Sequence, residues 1–113
     1  MEDESAVLSM TETMLRMFGC EVLTATDGAE GLEVYRDNRE TISFVIVDLI
    51  MPRVSGAEVI AALREYADET KIVLTSGHTE AETAELEEVV DACLRKPFRM
   101  EELREAIGGL LQA

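Results

Sequence analysis

The stretch FVIVDLIMP, residues 44–52, joins four apolar residues to a carboxylate at Asp48 and ends on a proline. Four consecutive apolar residues predict a strand covered on both faces, as in the centre of a parallel sheet. An unpaired charge is costly to bury in such a strand. At its carboxyl end, however, Asp48 would reach the crevice where open α/β sheets bind ligands. The function therefore depends on which other residues share that edge.

Strand and helix patterns alternate along the chain on both sides of this stretch. Strands are predicted at residues 21–26, 44–48, 71–75 and 91–95. Helices are predicted at residues 5–18, 29–38 and 79–88, with two more carrying the apolar sets Val59, Ile60, Leu63 and Met100, Leu103, Ile107, Leu110. This alternation predicts an α/β fold, a single domain whose parallel sheet has helices on both faces.

The composition limits the partners and the location of the protein. The 113 residues carry a formal net charge of -14, which argues against nucleic acid and against anionic membranes as partners. No apolar stretch is long enough to span a bilayer, and residues 1–4 do not resemble a signal peptide. A cytoplasmic protein is predicted. Cys20 and Cys93 are widely spaced, among apolar neighbours, and are predicted to be buried, reduced thiols.

Other polar residues fall where the predicted strands end. Glu2-Asp3-Glu4 precedes the first helix, Ser76 follows the strand ending at Thr75, and Lys96 follows the strand ending at Arg95. Grouped carboxylates suit Mg²⁺, and lysine is a good partner for a phosphoryl oxygen. A carboxylate can also act as a nucleophile and form an aspartyl phosphate. The sequence predicts phosphoryl transfer onto Asp48. A role for Ser76 is less specific, because a Ser-Gly pair also ends many strands without a function.

These pieces resemble a known family, the response-regulator receiver domain of two-component signalling. The matching motifs cover nearly the whole chain in the family's order: Glu2-Asp3-Glu4, Asp27-Gly28, Asp48-Leu49-Ile50-Met51-Pro52 with Gly56, Leu74-Thr75-Ser76-Gly77 and Lys96-Pro97-Phe98. The resemblance implies a flavodoxin-like doubly wound sheet of strand order 2-1-3-4-5. It also implies a phosphoacceptor regulatory domain rather than an enzyme.

The resemblance assigns roles to individual residues. Asp48 would accept the phosphoryl group from the phosphohistidine of a histidine kinase or a histidine phosphotransfer domain. Asp3 and Asp48 would bind Mg²⁺ directly, Glu2 would bind it through water, and Ile50 would offer its backbone carbonyl. Ser76 and Lys96 would contact the phosphoryl oxygens.

The chain departs from the family pattern at its start. Receivers have an apolar strand before the acidic pair, whereas Met1 lies one residue before Glu2. Residues 1–113 are therefore expected to be a receiver domain truncated at its N-terminus, with the first central strand missing between residues 21–26 and 44–48. Unpaired backbone groups would remain there. We expect an isolated chain that is unstable or that forms a homodimer by taking a strand from a second copy.

Two smaller departures concern the metal contact and the aromatic residue that reorients in receivers on activation. Glu2 replaces the more usual aspartate, and Cys93 stands where receivers often carry an aromatic residue. The polar helix at 79–88 is predicted to be a movable element, and the surface beside it is predicted to be the face that transmits the signal. His78 is predicted to be a surface loop residue. The alternatives left open are a phosphorylation-independent interaction module, a receiver fragment of a hybrid histidine kinase, and a small phosphohydrolase. The last is disfavoured because Ile50 occupies the position of its second aspartate.

Overall fold

The computed structural model describes residues 1–51, 53–66, 70–77 and 84–111. Helices and strands alternate within these residues. Their order is α1 (Ser5–Met17), α2 (Gly28–Asn38), β1 (Phe44–Asp48), α3 (Gly56–Tyr66), β2 (Lys71–Ser76), β3 (Ala92–Arg95) and α4 (Met100–Leu111). No helix in the described ranges is both long and apolar enough to cross a membrane.

The three strands form one parallel sheet in the order β1-β2-β3. Asp48 lies opposite Thr75 in the first pair, and Ser76 lies opposite Arg95 in the second. All three strands therefore end at the same edge. The order agrees with the last three strands of the predicted sheet, and the α/β class with a parallel sheet is confirmed.

Alternation along β2 divides the apolar core into two layers. Ile72 and Leu74 belong to the layer under α2 and α3, whereas Val73 belongs to the layer under α1 and α4. All three side chains are fully buried, because β2 has a strand on each side and helices above and below. This packing explains why β2 is apolar without interruption.

The segment 21–26 is not a strand, contrary to the prediction. Its apolar pattern is present, but a strand needs a continuous ladder with a neighbour. Among the described residues, one sheet-like hydrogen bond reaches this segment, from the Glu2 amide to the Ala25 carbonyl at 3.0 Å. Met1 and Glu2 alone lie between this segment and β1 in the described chain, and two residues are too few to order it as a strand.

The helix predicted at 79–88 is also wrong within the described residues. Residues 79–83, like His78 and Pro52, lie outside them, and residues 84–89 form turns. Within these turns, the Val89 amide donates a hydrogen bond to the Leu86 carbonyl, three residues earlier, at 3.0 Å. In a helix, Glu85 and Glu88 would lie three residues apart on one face and repel each other. Leu86 and Val90 provide the apolar anchors that hold the segment on the core.

The two cysteines are reduced, as predicted, but they are not both buried. Cys20 is half-buried, whereas Cys93 is exposed. The reason is that β3 lies at the edge of the sheet and alternates, with Leu94 facing the core and Cys93 facing out. The apolar neighbours of Cys93 in the sequence belong to the opposite face.

Gly56 is the point where the loop after β1 returns to that strand. Its amide donates to the Leu49 carbonyl at 2.8 Å. A Cβ atom at this position would meet the Asp48 carbonyl oxygen and would lie 2.6 Å from the Leu49 Cα. These contacts are with backbone, which cannot rotate away. Glycine is therefore required for the loop to lie against Asp48.

We expect Gly56→Ala to lower the free energy of unfolding by about 2 kcal/mol, because the methyl group forces the loop away from β1. Chemical denaturation would measure the change. The matched control is Gly108→Ala in α4, where a Cβ would meet nothing within 4 Å. That substitution should stabilise the protein by up to about 1 kcal/mol through helix propensity. Equal effects of the two substitutions would contradict the close approach at Gly56.

Candidate functional site

The carboxyl edge of the sheet brings together residues from all three strands. Asp48 ends β1, Ser76 ends β2, and Lys96 follows β3. The ladders continue beyond the strands, since the Leu49 amide donates to the Thr75 carbonyl at 2.9 Å and the Lys96 amide donates to the Ser76 carbonyl at 2.8 Å. The backbone therefore fixes the three side chains in adjacent positions, as the sequence predicts.

Glu2 and Asp3 reach this edge because the first two residues extend the sheet. The Met1 ammonium donates to the Ile46 carbonyl at 2.7 Å, and the Asp48 amide donates to the Met1 carbonyl at 3.1 Å. Glu2 is then bonded on its other side to Ala25. These bonds place the Glu2 and Asp3 carboxylates beside Asp48.

Lys96 lies between two buried carboxylates. Its Nζ atom is 3.1 Å from Oδ2 of Asp48 and also forms an ion pair with Oε1 of Glu2. The Lys96 side chain is 15% exposed and each carboxylate side chain is 8% exposed. One ammonium thus serves two carboxylates away from solvent. The cluster keeps a net negative charge, which favours a further cation.

The two carboxylates respond differently to this environment. Burial raises the pKa of Asp48 to about 6, and the nearby Glu2 charge adds to the rise, while Lys96 opposes it. Burial also works to raise the pKa of Glu2, but hydrogen bonds from Lys96 and from the Glu4 amide outweigh it and lower that pKa. Despite its own burial, the pKa of Lys96 is raised by its two acidic partners. Lys96 is therefore shared between the two carboxylates, and its closer contact is with Glu2.

The carboxylates have a geometry suited to a small divalent cation. Glu2, Asp3 and Asp48 each offer an oxygen, and these oxygens lie within 4.8 Å of one another. Magnesium binds oxygens at about 2.0–2.1 Å, so ligands on opposite sides of the ion are about 4 Å apart. Asp3 is exposed and leaves the site open to solvent. These three residues could hold Mg²⁺, with the Lys96 ammonium on the side of Glu2 and Asp48.

Ile50 and Ser76, two of the predicted site residues, lie on the segments that flank the site. Ile50 is 52% exposed on the loop after β1, and the role predicted for its carbonyl oxygen stays a prediction. Ser76 is buried at the end of β2, where its carbonyl accepts from Lys96. The predicted contact of its hydroxyl group with a phosphoryl oxygen also stays a prediction.

The sequence reasoning missed an ion pair that supports the loop after Asp48. The Arg53 guanidinium pairs with the buried carboxylate of Asp27, and Arg53 adopts a positive φ of 67°. Asp27 also caps α2, accepting from the Glu30 amide at 2.8 Å, and this bond, followed by the Arg53 pairing, lowers its pKa. The spacing Asp27-x-x-Glu30 is typical of a helix N-terminus. No local signal links it to Arg53.

Solved structures with the same fold are receiver domains. A response regulator receiver domain protein from Clostridium thermocellum superposes with a TM-score of 0.91 at 31% identity, covering 98% of this chain and 90% of that one. The chemotaxis protein CheY4 of Vibrio cholerae has a TM-score of 0.88 at 29% identity, covering 97% and 93%. The response regulator TrrA of Thermotoga maritima, solved with Mg²⁺-BeF, gives 0.88 at 28% identity, covering 97% and 94%.

Sequence comparison agrees. The family model described as the response regulator receiver domain matches residues 1–108. The transcriptional regulatory protein PrrA of Mycobacterium tuberculosis is 35% identical over 98% of this chain and 48% of its own length. The probable transcriptional regulator ycf27 of Pyropia yezoensis is 36% identical over 98% and 45%. The chain thus spans about half the length of these curated relatives. It belongs to the response regulator receiver domain family.

The raised pKa of Asp48 predicts that Asp48→Asn stabilises the metal-free protein at neutral pH. An aspartate whose pKa is higher in the folded than in the unfolded state loses stability as the pH rises through about 6. A neutral amide avoids that loss, so we expect a gain of roughly 1 kcal/mol, measured by thermal denaturation. Below the ordinary aspartate pKa of about 4 the gain should vanish.

The matched variant is Glu2→Gln, for which the opposite sign is expected. The pKa of Glu2 is lowered, so its ionised form stabilises the fold at neutral pH and the amide should destabilise it. Destabilisation by both variants at neutral pH would contradict the unequal sharing of Lys96.

Proposed function

We propose that this domain accepts a phosphoryl group on Asp48 from a phosphohistidine. The observation that carries the proposal is the Asp48–Lys96–Glu2 cluster with Asp3 at its open side. It combines a nucleophile, a fixed ammonium group and carboxylates suited to Mg²⁺ at one edge of the sheet. The family membership and the Mg²⁺-BeF complex of the TrrA protein support the same chemistry for this chain.

The chemistry follows from the positions of the side chains. With a pKa of about 6, Asp48 is ionised at neutral pH, and one of its oxygens attacks the phosphorus atom. The bond between phosphorus and the histidine nitrogen breaks, its electron pair stays on the imidazole, and Asp48 becomes an acyl phosphate. Mg²⁺ held by Asp3 and Asp48, and through water by Glu2, would supply the positive charge that the transferring oxygens require.

Lys96 has the second role in this chemistry. Its ammonium already lies 3.1 Å from Asp48, and it would move from the carboxylate to a phosphoryl oxygen with little displacement. Ser76, one strand away, is proposed to donate its hydroxyl hydrogen to another phosphoryl oxygen, and the Ile50 carbonyl is proposed as a further metal ligand. Glu2 would act on the metal through a water molecule.

The proposed partner is a histidine kinase or a histidine phosphotransfer domain, met in the cytoplasm. The domain is proposed to act as a regulator rather than an enzyme, because Asp48 is modified itself and no other substrate is turned over. The formal net charge of -14 makes binding to nucleic acid by these residues unfavourable.

Acetyl phosphate tests the proposal without a known kinase. In the presence of Mg²⁺, the intact mass of the folded protein should increase by one phosphoryl group, and a chelator should prevent the gain. Asp48→Asn should abolish the adduct, because the amide is a poor nucleophile. The control Asp37→Asn removes an exposed carboxylate on α2 and should leave the adduct unchanged.

Three results would contradict this assignment. An unmodified wild-type protein that is demonstrably folded would favour a phosphorylation-independent interaction module. An adduct that persists in Asp48→Asn would mean a different nucleophile. Sustained release of phosphate over many turnovers would favour a phosphohydrolase.

A further inference from the structure

The loop that leaves Asp48 is attached to the sheet at both of its ends. At its start, the Leu49 amide donates to the Thr75 carbonyl at 2.9 Å. At its end, the Gly56 amide donates to the Leu49 carbonyl at 2.8 Å, so the chain returns to the strand that it left. The position of Ile50, whose carbonyl is proposed above as a metal ligand, also depends on what holds the residues between these two ends.

Arg53 is the point in this loop where the backbone takes an unfavourable conformation. Its φ is 67°, and in the described parts of the chain it is the one residue other than glycine with a positive φ. A residue that has a Cβ atom disfavours this left-handed region. Such a conformation persists only where surrounding contacts compensate for its cost. We therefore expect specific contacts to hold Arg53 in place.

The main contact of Arg53 is an ion pair with Asp27. Its guanidinium group pairs with Oδ2 of Asp27. The Arg53 side chain is 73% exposed and the Asp27 side chain only 7%, so the arginine reaches from solvent to a buried carboxylate. That carboxylate is itself fixed, because its Oδ1 atom accepts from the Glu30 amide at 2.8 Å. One side chain thus caps α2 and holds the loop.

The backbone of the same loop packs against the start of α2. A Cβ atom on Gly28 would lie 2.6 Å from the Val54 carbonyl oxygen and 2.8 Å from Cγ2 of Val59. Glycine is therefore needed at position 28 for the helix and the loop to approach this closely. The ion pair and this contact are independent of each other, and they attach the loop to α2 at two adjacent residues, Arg53 and Val54.

We propose that Arg53 is a positioning residue for the phosphorylation site. Paired with Asp27, it holds the loop in the conformation that keeps the Ile50 carbonyl available to the metal. Arg53 acts through the backbone of the loop, without contact to the metal or to the phosphoryl group. This inference rests on the function proposed above, because Mg²⁺ and its ligands belong to that function.

Two substitutions separate this role from a simple effect of charge. Arg53→Met removes a positive charge, which by itself would tighten Mg²⁺ binding to an acidic site. Asp27→Asn removes a negative charge, which by itself would weaken that binding, and it keeps the cap of α2, because asparagine caps a helix as well as aspartate does. Loss of positioning instead weakens Mg²⁺ binding in both variants, by about tenfold, as is typical when a group that orients a metal ligand is removed.

Calorimetric titration of Mg²⁺ at neutral pH measures this affinity in the folded proteins. The double variant of Asp27→Asn and Arg53→Met should bind Mg²⁺ as weakly as each single variant, because all three lack the same ion pair. Arg53→Lys keeps the positive charge and should recover most of the affinity. The matched control is Arg16→Met, which removes an exposed arginine paired with Glu12 on α1 and should leave the affinity unchanged.

Arg53→Gly separates the ion pair from the backbone conformation. Glycine adopts a positive φ at little cost but has no side chain to pair with Asp27. We expect Arg53→Gly to weaken Mg²⁺ binding as Arg53→Met does. NMR relaxation of the metal-free proteins gives an independent measurement, because the order parameters of the Ile50 and Val54 amides should fall in both variants.

Phosphorylation by acetyl phosphate should show the same pattern. In Arg53→Met, the Mg²⁺ concentration that gives the half-maximal rate should rise about tenfold. The rate at saturating Mg²⁺ should change little, because Asp48 and Lys96 are unaltered. A purely structural role of Arg53 would lower the stability of the protein without shifting this Mg²⁺ dependence.

Three results would overturn the inference while leaving the proposed function intact. They are unchanged Mg²⁺ affinity in both Arg53→Met and Asp27→Asn, shifts of opposite sign in these two variants, which indicate charge alone, and wild-type affinity in Arg53→Gly, which indicates backbone conformation alone. A folded wild-type protein that gains no phosphoryl group would contradict the proposed function, and the Mg²⁺ titrations would still decide the role of Arg53.

Discussion

The Lys96 ammonium is the positive charge that allows two carboxylates to be buried at the carboxyl edge of the sheet. The Glu2 and Asp48 carboxylates come from different parts of the chain and contact the same Nζ atom. Without this cation, their mutual repulsion would be costly. The sheet supplies the positions, because the parallel ladders end together and Met1 extends them on one side. The reactivity of Asp48 follows from this shared cation.

The loops around the site serve that arrangement. Gly56 lets the loop after β1 lie directly against Asp48, and the Arg53–Asp27 pair connects the same loop to the start of α2. At the opposite end of the sheet, Arg64 connects the segments that lead into β2 and β3 by donating to the Thr70 and Val89 carbonyls. The site is therefore held by backbone contacts and ion pairs, while the apolar layers hold the strands themselves.

Much of the site could be predicted because it depends on strand ends. Apolar runs locate β1 and β2, and parallel strands must end at one edge, so Asp48, Ser76 and Lys96 come together. The segment 21–26 shows the limit, because a strand also requires a neighbour that local pattern does not reveal. Residues 84–89 show another, since like charges and few apolar anchors override an expected helix. The Arg53–Asp27 pair joins residues distant in sequence and had no local signal.

Magnesium titration tests most directly whether Lys96 and the metal share the same carboxylates. In Lys96→Met, which replaces the apolar stem of lysine by an unbranched apolar side chain and removes the charge, Glu2 and Asp48 lose their internal cation. Calorimetry at neutral pH should then show Mg²⁺ binding roughly tenfold more tightly than to the wild type. Arg95→Met, which removes the adjacent exposed charge, should change the affinity far less. Unchanged or weaker binding to a folded Lys96→Met would contradict the account.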